Sequence, residues 1–177
     1  MKAVNVAVVG ATGAVGEAMI EILESRDFPV DQLFPLASSR SAGKSLRFKG
    51  KRYTVQDLSN FDFSQTPVAL FSAGGDVSAE YAPIAAQQGC VVIDNTSHFR
   101  RDDDIPLVIP EVNPEAIGQF RQRNIIANPN CSTIGMLMAL KPIYDVAGIE
   151  RINVATYQAV SGTGKDAIEE LAGQTAR

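Results

Sequence analysis

Residues 4–23 constrain the fold more than any other stretch of the chain. Val4 to Val9 is a valine-rich apolar run interrupted only by Asn5, and apolar residues recur with helical spacing from Val15 to Leu23. Gly10, Gly13 and Gly16 separate the two patterns. A buried strand that passes through glycines directly into an amphipathic helix is typical of a parallel α/β unit. This stretch therefore predicts an α/β fold.

The same alternation of strand and helix continues along the chain. Further buried strands are predicted at 33–37, 68–71, 90–93 and 125–127, with a hairpin over 46–55 and helices over the 80s and over 114–120. We expect Pro83 to lie in the first turn of its helix, where its missing N–H costs little, and Pro142 to kink or end a later helix. These elements predict a Rossmann-like, mostly parallel sheet with helices on both faces.

From Arg151 the pattern changes. Apolar and polar residues alternate over 151–160, which predicts one long strand, and a helix is predicted from Asp166 onward. This strand lacks the preceding strand–helix rhythm and is expected to open a second sheet. We therefore predict a Rossmann-like nucleotide-binding domain over residues 1–129 and the start of a second α+β domain over 130–177. Because the helical pattern stops at Arg177 with no second strand for that sheet, we expect a truncated protein.

The glycine loop also bears on ligand binding. Its glycines let the backbone turn sharply and approach a diphosphate, and the helix start that follows favours anions. A structural turn would use glycines too, and the GxxGxxG spacing differs from the commonest dinucleotide fingerprint. The strand–glycine–helix context favours a nucleotide site. Contacts are expected from Gly10, Thr12, Gly13, Ala14, Val15 and Gly16.

The loop after the second predicted strand bears on which nucleotide binds. Sites for NAD usually place an acidic residue there on the ribose 2′-hydroxyl, whereas NADP sites use arginine or small hydroxyl residues around the 2′-phosphate. Residues 38–44 contain no acid. They predict NADP, with Arg40 on the 2′-phosphate and Ser38 and Ser41 donating hydrogen bonds, although a solvated basic loop remains the alternative. Ser72, after the strand at 68–71, is expected at the same ligand-binding edge.

Two further loops follow predicted strands and carry reactive or charged residues. Cys131 lies between the strand at 125–127 and an apolar helical run, and Asn130 or Ser132 can cap that helix. Unpaired N–H groups and the dipole at a helix start favour a thiolate, so Cys131 is a candidate nucleophile; a buried cysteine that only packs is the alternative. Arg100 follows the strand at 90–93, where it suits a phosphate or carboxylate, or is simply exposed beside Arg101.

Composition narrows the classes of partner. The 16 Lys and Arg against 20 Asp and Glu leave a formal charge of −4, which favours neither nucleic acid nor an anionic membrane. No apolar run reaches the roughly 20 residues of a membrane span, and the first residues lead into a strand rather than a signal peptide, so we expect a cytoplasmic protein. Two distant cysteines and a single histidine argue against disulfides and against a metal site.

Taken together, the motifs resemble those of the aspartate-β-semialdehyde dehydrogenase family. In order along the chain they are GATGAVG at 10–16, SSRSAGK at 38–44, SAGG at 72–75, DNTSHFR at 94–100, PEVN at 110–113, NPNCST at 128–133 and YQAVSGTG at 157–164. They cover essentially all 177 residues. The related N-acetyl-glutamyl-phosphate reductases share the glycine loop, the fold and the cysteine, but DNTSHFR and SSRSAGK look more like the semialdehyde enzyme.

The resemblance implies an NADP-dependent oxidoreductase of lysine, threonine, methionine and diaminopimelate biosynthesis. Cys131 would attack the aldehyde of aspartate semialdehyde, hydride would pass to NADP⁺, and phosphate would release the thioester as aspartyl phosphate; the physiological direction is the reverse. Asn130 would help to stabilise the oxyanion. By the same resemblance Arg100 binds phosphate, Gln158 orients the substrate, and Ser161 and Gly162 contact the cofactor.

The resemblance also implies what this sequence lacks. In the family a histidine acid/base, a carboxylate-binding arginine and most of the homodimer surface come from the later half of the chain. We therefore expect little or no turnover from these 177 residues alone. A non-catalytic NADP-binding module and an N-acetyl-glutamyl-phosphate reductase are the alternatives.

Overall fold

The computed structural model describes residues 2–176, which form one parallel sheet, a small hairpin and four α-helices. The order along the chain is β1 Val4–Val9, α1 Ala14–Ser25, β2 Val30–Ala37, β3 Ser45–Phe48, β4 Lys51–Thr54, β5 Gln56–Asp57, β6 Val68–Phe71, α2 Gly75–Gln87, β7 Val91–Asp94, β8 Ile125–Ala127, α3 Cys131–Ala147 and α4 Lys165–Thr175. Short 3₁₀ helices lie at Leu58–Asn60, Phe63–Gln65, Pro114–Gln122 and Val160–Thr163.

The main sheet has the order β5-β2-β1-β6-β7-β8, and all its neighbouring strands are parallel. Its central strand shows why both faces are covered. Val6 and Val8 of β1 pack in the cluster with Ile20 of α1, whereas Ala7 and Val9 pack in the cluster with Ala82 and neighbouring alanines of α2. Successive residues of a strand point to opposite faces, so β1 is apolar on both faces from Val6 to Val9. The predicted Rossmann-like α/β fold is confirmed.

The predicted hairpin is also confirmed. β3 and β4 are antiparallel and joined at Lys49 and Gly50, which have φ of 48° and 74°. Two consecutive positive φ values are the hallmark of the two-residue turn that matches strand twist. The hairpin covers the α1 face of the sheet through Phe48, which is buried.

The two prolines inside helices bear on the sequence prediction. Pro83 lies well inside α2 rather than in its first turn, because the helix already begins at Gly75. Pro142 does not end its helix, since α3 continues to Ala147, and a kink at Pro142 stays a prediction. Leu107 makes an isolated bridge with Ala127 beside β8.

The largest difference concerns residues 151–160. Within the described residues 2–176, positions 151–159 belong to no strand and their side chains are exposed, Tyr157 completely. An alternating segment becomes a strand only when a neighbour satisfies its N–H and C=O groups. The predicted second sheet is therefore not formed by this part of the chain. Across residues 2–176 no helix combines the length and apolarity that crossing a membrane requires.

Candidate active site

Four loops meet at one edge of the main sheet. They follow β1, β6, β7 and β8, which are adjacent and parallel, so their carboxyl ends lie side by side. Three of these loops lead directly into the first residues of α1, α2 and α3. Open α/β sheets bind ligands at this edge, and helix N-termini attract anions.

The glycine loop is packed too tightly to accept side chains. Gly10 has φ of +87°, and a Cβ there would lie 3.0 Å from the backbone of Ser72 and Ala73. A Cβ on Gly16 would lie 2.1 Å from the carbonyl oxygen of Gly10. The N–H groups of Gly10 and Ala11 both donate to the Leu36 carbonyl, which fixes the loop to β2. The start of α1 is thereby held directly against the end of β1.

This cradle fits a dinucleotide diphosphate. The N-cap of α1 is Gly13, which makes no side-chain capping bond, so the first-turn N–H groups of α1 are not covered by a side chain there. Thr12, Ala14 and Val15 lie in the same turn. Gly74, with φ of +105°, likewise caps α2 without a side-chain bond. The site therefore offers two helix N-termini to an anion.

Ser72 has a bracing role in the structure. Its hydroxyl and its N–H both donate to the Val9 carbonyl, at 3.1 and 2.9 Å. These bonds tie the end of β6 to the end of β1 beside the glycine loop. Contact between Ser72 and a cofactor stays a prediction.

The loop after β2 lies next to the glycine loop because β1 and β2 are neighbours. The N–H groups of Ser41 and Ala42 donate to the Ser38 carbonyl, which makes a compact turn, and Lys44 lies 3.5 Å from the Ser41 hydroxyl. Arg40 is exposed at the tip of this turn. The loop thus places positive charge and hydroxyl groups beside the second strand, as a 2′-phosphate would require.

Arg100 is held by main-chain carbonyls from two loops. Its Nε donates to the Asn128 carbonyl at 2.9 Å and its Nη2 donates to the Asn95 carbonyl at 3.1 Å. Two of the five guanidinium N–H groups are thus used on the protein, and the side chain is half-buried. Arg101 is exposed, so the two arginines are not equivalent.

Asn95 and Asn128, which hold Arg100, carry no role that their sequence pattern predicts. The Asn128 side chain donates to the Asn95 side chain through Nδ2 and Oδ1, which are 2.5 Å apart, although 33 positions separate the two in sequence. Asp94 is fully buried beside them and accepts hydrogen bonds from Ser78 and Thr96. An asparagine after each of two neighbouring strands was the only available signal.

Cys131 is the first residue of α3 and is exposed. The Asn130 side chain is the N-cap and accepts from the Ser132 N–H at 3.1 Å, so of the two candidate caps Asn130 is the one used. The other cysteine has a different environment, since Cys90 is buried and burial raises its pKa to about 12. Of the two thiols, only Cys131 is accessible to solvent.

Gln158, Ser161 and Gly162 lie in the exposed segment before α4. Gln158 is exposed and donates a hydrogen bond to the Thr156 hydroxyl at 3.5 Å. The Gly162 N–H donates to Ala159 within a 3₁₀ turn. The roles predicted for these three residues stay predictions.

An ion pair connects the start of α4 to the first turn of α1. Lys165 Nζ lies 2.6 Å from Glu17 Oε1, in the first turn of α1. Ser161 and Gly162 lie just before this lysine, so the pair holds their turn on the side of the sheet where α1 begins. Sequence reasoning missed this contact because 148 positions separate the two residues.

Comparison with known proteins gives a consistent picture. The family model described as semialdehyde dehydrogenase, NAD binding domain, matches residues 5–120, and the model described as semialdehyde dehydrogenase, dimerisation domain, matches residues 140–177. The predicted domain boundary at 129/130 falls between the two matches and stays a prediction.

Curated relatives carry the same name. Aspartate-semialdehyde dehydrogenase 2 of Vibrio cholerae is 71% identical over 173 residues, which is 98% of this chain and 51% of the relative. The aspartate-semialdehyde dehydrogenase of Aquifex aeolicus is 60% identical over 97% of this chain and 51% of the relative. The chain thus spans about half the length of the curated relatives it matches.

Solved structures agree with this. The crystal structure of Vibrio cholerae aspartate semialdehyde dehydrogenase II complexed with ASA has a TM-score of 0.97 and 69% identity, over 99% of this chain and 52% of that one. The Candida albicans aspartate semialdehyde dehydrogenase with NADP has a TM-score of 0.73 and 29% identity, over 84% of this chain and 48% of that one.

Proposed function

The chain belongs to the semialdehyde dehydrogenase family, and on that basis we propose that it supplies the cofactor site and the nucleophile of an NADP-dependent aspartate-semialdehyde dehydrogenase. The observation that carries the proposal is the position of Cys131. An exposed thiol begins α3 at the sheet edge that also holds the glycine cradle and Arg100. A nucleophile, an anion-binding cation and a dinucleotide cradle are the parts that reduction of an acyl phosphate needs.

The first chemical step uses residues of this chain alone. Cys131 Sγ attacks the acyl carbon of aspartyl phosphate, the C–S bond forms, and the bond from carbon to phosphate oxygen breaks to give a thioester and phosphate. Arg100 stabilises the phosphate as it leaves, through N–H groups that the two main-chain carbonyls do not use. The thioester is the substrate of the second step.

The oxyanion that forms on the acyl group needs hydrogen-bond donors near Cys131. Asn130 uses its Oδ1 to cap α3, which leaves its Nδ2 group as a donor. The backbone N–H groups of the first turn of α3 point in the same direction as the helix dipole. We propose that Asn130 and these N–H groups stabilise the oxyanion, and that Gln158 orients the substrate.

The dinucleotide would be held by the glycine cradle, by the turn with Ser38, Arg40 and Ser41, and by Ser72, Ser161 and Gly162. A bound reduced nicotinamide would supply a hydride to the thioester carbon, and cleavage of the C–S bond would give the aldehyde and return Cys131 as a thiolate. In this proposal the glycine cradle would hold the diphosphate at the start of α1, beside backbone that leaves no room for a side chain at Gly10 or Gly16. We extend the proposal to a homodimer for the complete protein, in keeping with the dimerisation-domain match. The cytoplasmic location expected from the sequence stays a prediction.

Two measurements on the chain test the proposal. NADP and NAD are titrated separately, and the rate of Cys131 alkylation by iodoacetamide is followed at neutral pH. We expect NADP to bind more tightly than NAD, with Arg40→Ala removing this preference. Arg26→Ala is the matched control, because Arg26 lies at the opposite end of α1 from the glycine loop.

Cys90 provides an internal reference for the alkylation. Since burial raises the pKa of Cys90 to about 12, it should react only after unfolding, and Cys131→Ser should abolish labelling of the folded chain. Equal affinity for NAD and NADP would contradict the role given to Arg40. Cofactor binding with an unreactive Cys131 would favour the non-catalytic module. Turnover by these residues alone is expected to be absent or very slow.

A further inference from the structure

The side chains of Asn95 and Asn128 are hydrogen-bonded to each other, and the main-chain carbonyls of the same two residues accept hydrogen bonds from Arg100. We propose that this asparagine pair is a positioning device that aims the Arg100 guanidinium at the substrate phosphate and fixes it relative to Cys131. The inference rests on the proposed function, because it assigns the pair a task in the same site.

The geometry around Arg100 supports a positioning role. Nε and Nη2 donate to carbonyls that belong to two different loops, one after β7 and one after β8. Both carbonyls must converge on one planar group, so the separation of the loops sets the orientation of the guanidinium. The bond of 2.5 Å between Asn128 Nδ2 and Asn95 Oδ1 helps to set that separation, together with the backbone bond from Asn128 N–H to the Asp94 carbonyl. Among the described residues Arg100 Nη1 has no protein partner, which leaves it for a ligand.

The backbone on both sides of the pair is anchored to the sheet. The Asn95 N–H donates to the Phe71 carbonyl at 2.9 Å, and the Asn128 N–H donates to the Asp94 carbonyl at 2.8 Å. The fully buried Asp94 carboxylate accepts from Ser78 of α2 at 2.8 Å. The backbone bond from Asn128 to Asp94 therefore already joins the two loops, and the asparagine side chains add a second link beyond the ends of the strands.

The same segment carries the nucleophile. Asn128 precedes Cys131 by three residues, which limits the two Cα atoms to about 11 Å. Asn130, between them, is the cap that fixes the start of α3. A shift of Asn128 would thus move Arg100 and the approach to Cys131 together. A residue that only stabilised the fold would have no such link between a cation and a thiol.

Alkylation of Cys131 by an anionic and a neutral reagent tests this link. Iodoacetate carries a negatively charged carboxylate that Arg100 attracts, whereas iodoacetamide is neutral and is not attracted. The ratio of the two rates cancels any change in thiol reactivity and reports the position of the cation. Inorganic phosphate should compete with iodoacetate, and its half-protecting concentration measures phosphate binding. Ionic strength is held constant with chloride, since screening alone would weaken the attraction.

We expect Asn95→Leu and Asn128→Leu each to raise the half-protecting phosphate concentration roughly five- to tenfold, with little change in the iodoacetamide rate. The double variant should lose no more than either single variant, because the two side chains act through one bond. Asn60→Leu is the matched control, since Asn60 is exposed in the 3₁₀ turn at Leu58–Asn60. That turn follows β5, which is the edge strand farthest from β7 and β8. The control variant should behave as the unsubstituted chain.

The failures are distinguishable. If Arg100→Ala abolishes phosphate protection while both leucine variants retain it, the positioning role is overturned and the phosphate site stands. If Arg100→Ala leaves phosphate protection unchanged, the phosphate-binding role of Arg100 and the positioning role of the asparagine pair are both overturned. Additive losses in the double variant would also overturn the pair as a unit. Should a leucine variant fail to fold by circular dichroism, Asn95→Ser and Asn128→Ser replace it, and unchanged protection in these overturns the inference.

Discussion

Substitution of Gly16 by alanine should both destabilise the fold and impair dinucleotide binding. The added Cβ would lie 2.1 Å from the Gly10 carbonyl oxygen, 2.8 Å from its carbon and 2.9 Å from Ala11 Cα. All three atoms are backbone, so no side-chain rotation relieves the overlap. Real Cβ contacts need more than 3.0 Å. Helix α1 must therefore move away from the loop by the better part of an ångström.

The magnitude follows from two opposing effects. Overpacking of this kind costs about 1–3 kcal/mol or somewhat more, and the closeness of the contact places it at the upper end. Alanine also gains up to about 1 kcal/mol over glycine within a helix. We expect the free energy of unfolding to fall by about 2 kcal/mol. Because α1 retreats from the site of the diphosphate, affinity for NADP should fall as well.

Urea denaturation and NADP titration measure these two effects. Gly173→Ala is the matched control, because Gly173 lies in α4 and a Cβ there meets nothing within 4 Å. That control should be neutral or slightly stabilising. The reasoning is refuted if Gly16→Ala keeps the urea midpoint and the NADP affinity of the unsubstituted chain, since the loop would then not be the close-packed cradle described.

Substitutions at two further positions test the contacts at the N-termini of α3 and α4. Asn130→Ala removes the side-chain acceptor of the Ser132 N–H, so urea denaturation should show a free energy of unfolding about 1 kcal/mol lower for the part that contains α3. Asn130→Asp keeps an acceptor and should preserve that free energy. An equal loss in both variants would contradict the capping role. Lys165→Glu should increase proteolysis between residues 151 and 164 by breaking the ion pair with Glu17, and the double variant Glu17→Lys with Lys165→Glu should reverse the increase. Because the pair is exposed, its effect on the free energy of unfolding should stay below about 1 kcal/mol. A double variant that is cleaved as fast as the single variant would show that the pair does not hold the segment.

Most of the sheet was predictable because its information is local. The apolar run of β1, the glycines after it and the helical spacing of α1 lie within one stretch of sequence, and the turn at Lys49 and Gly50 is equally local. The start of α2 was placed too late because Gly74 and Gly75 resemble a loop in sequence. In the structure Gly74 has φ of +105° and immediately precedes the helix.

The site was predictable only in part, for a physical reason. The sequence places Cys131 and Arg100 after strands, and the parallel order of the strands brings them to one edge. The alternating pattern of residues 151–160 fulfils the local requirement for a strand, yet a strand also needs a neighbour, and among residues 2–176 this segment has none.

Local patterning by itself determined the elements, the glycine cradle and the helix start at Cys131, because each depends on residues that are close along the chain. Tertiary structure decided which distant residues meet. Asn95 and Asn128 are bonded only because β7 and β8 are neighbours, and Glu17 meets Lys165 only because α4 begins on the side of α1. Such contacts depend on strand order and helix placement, which no window of sequence contains.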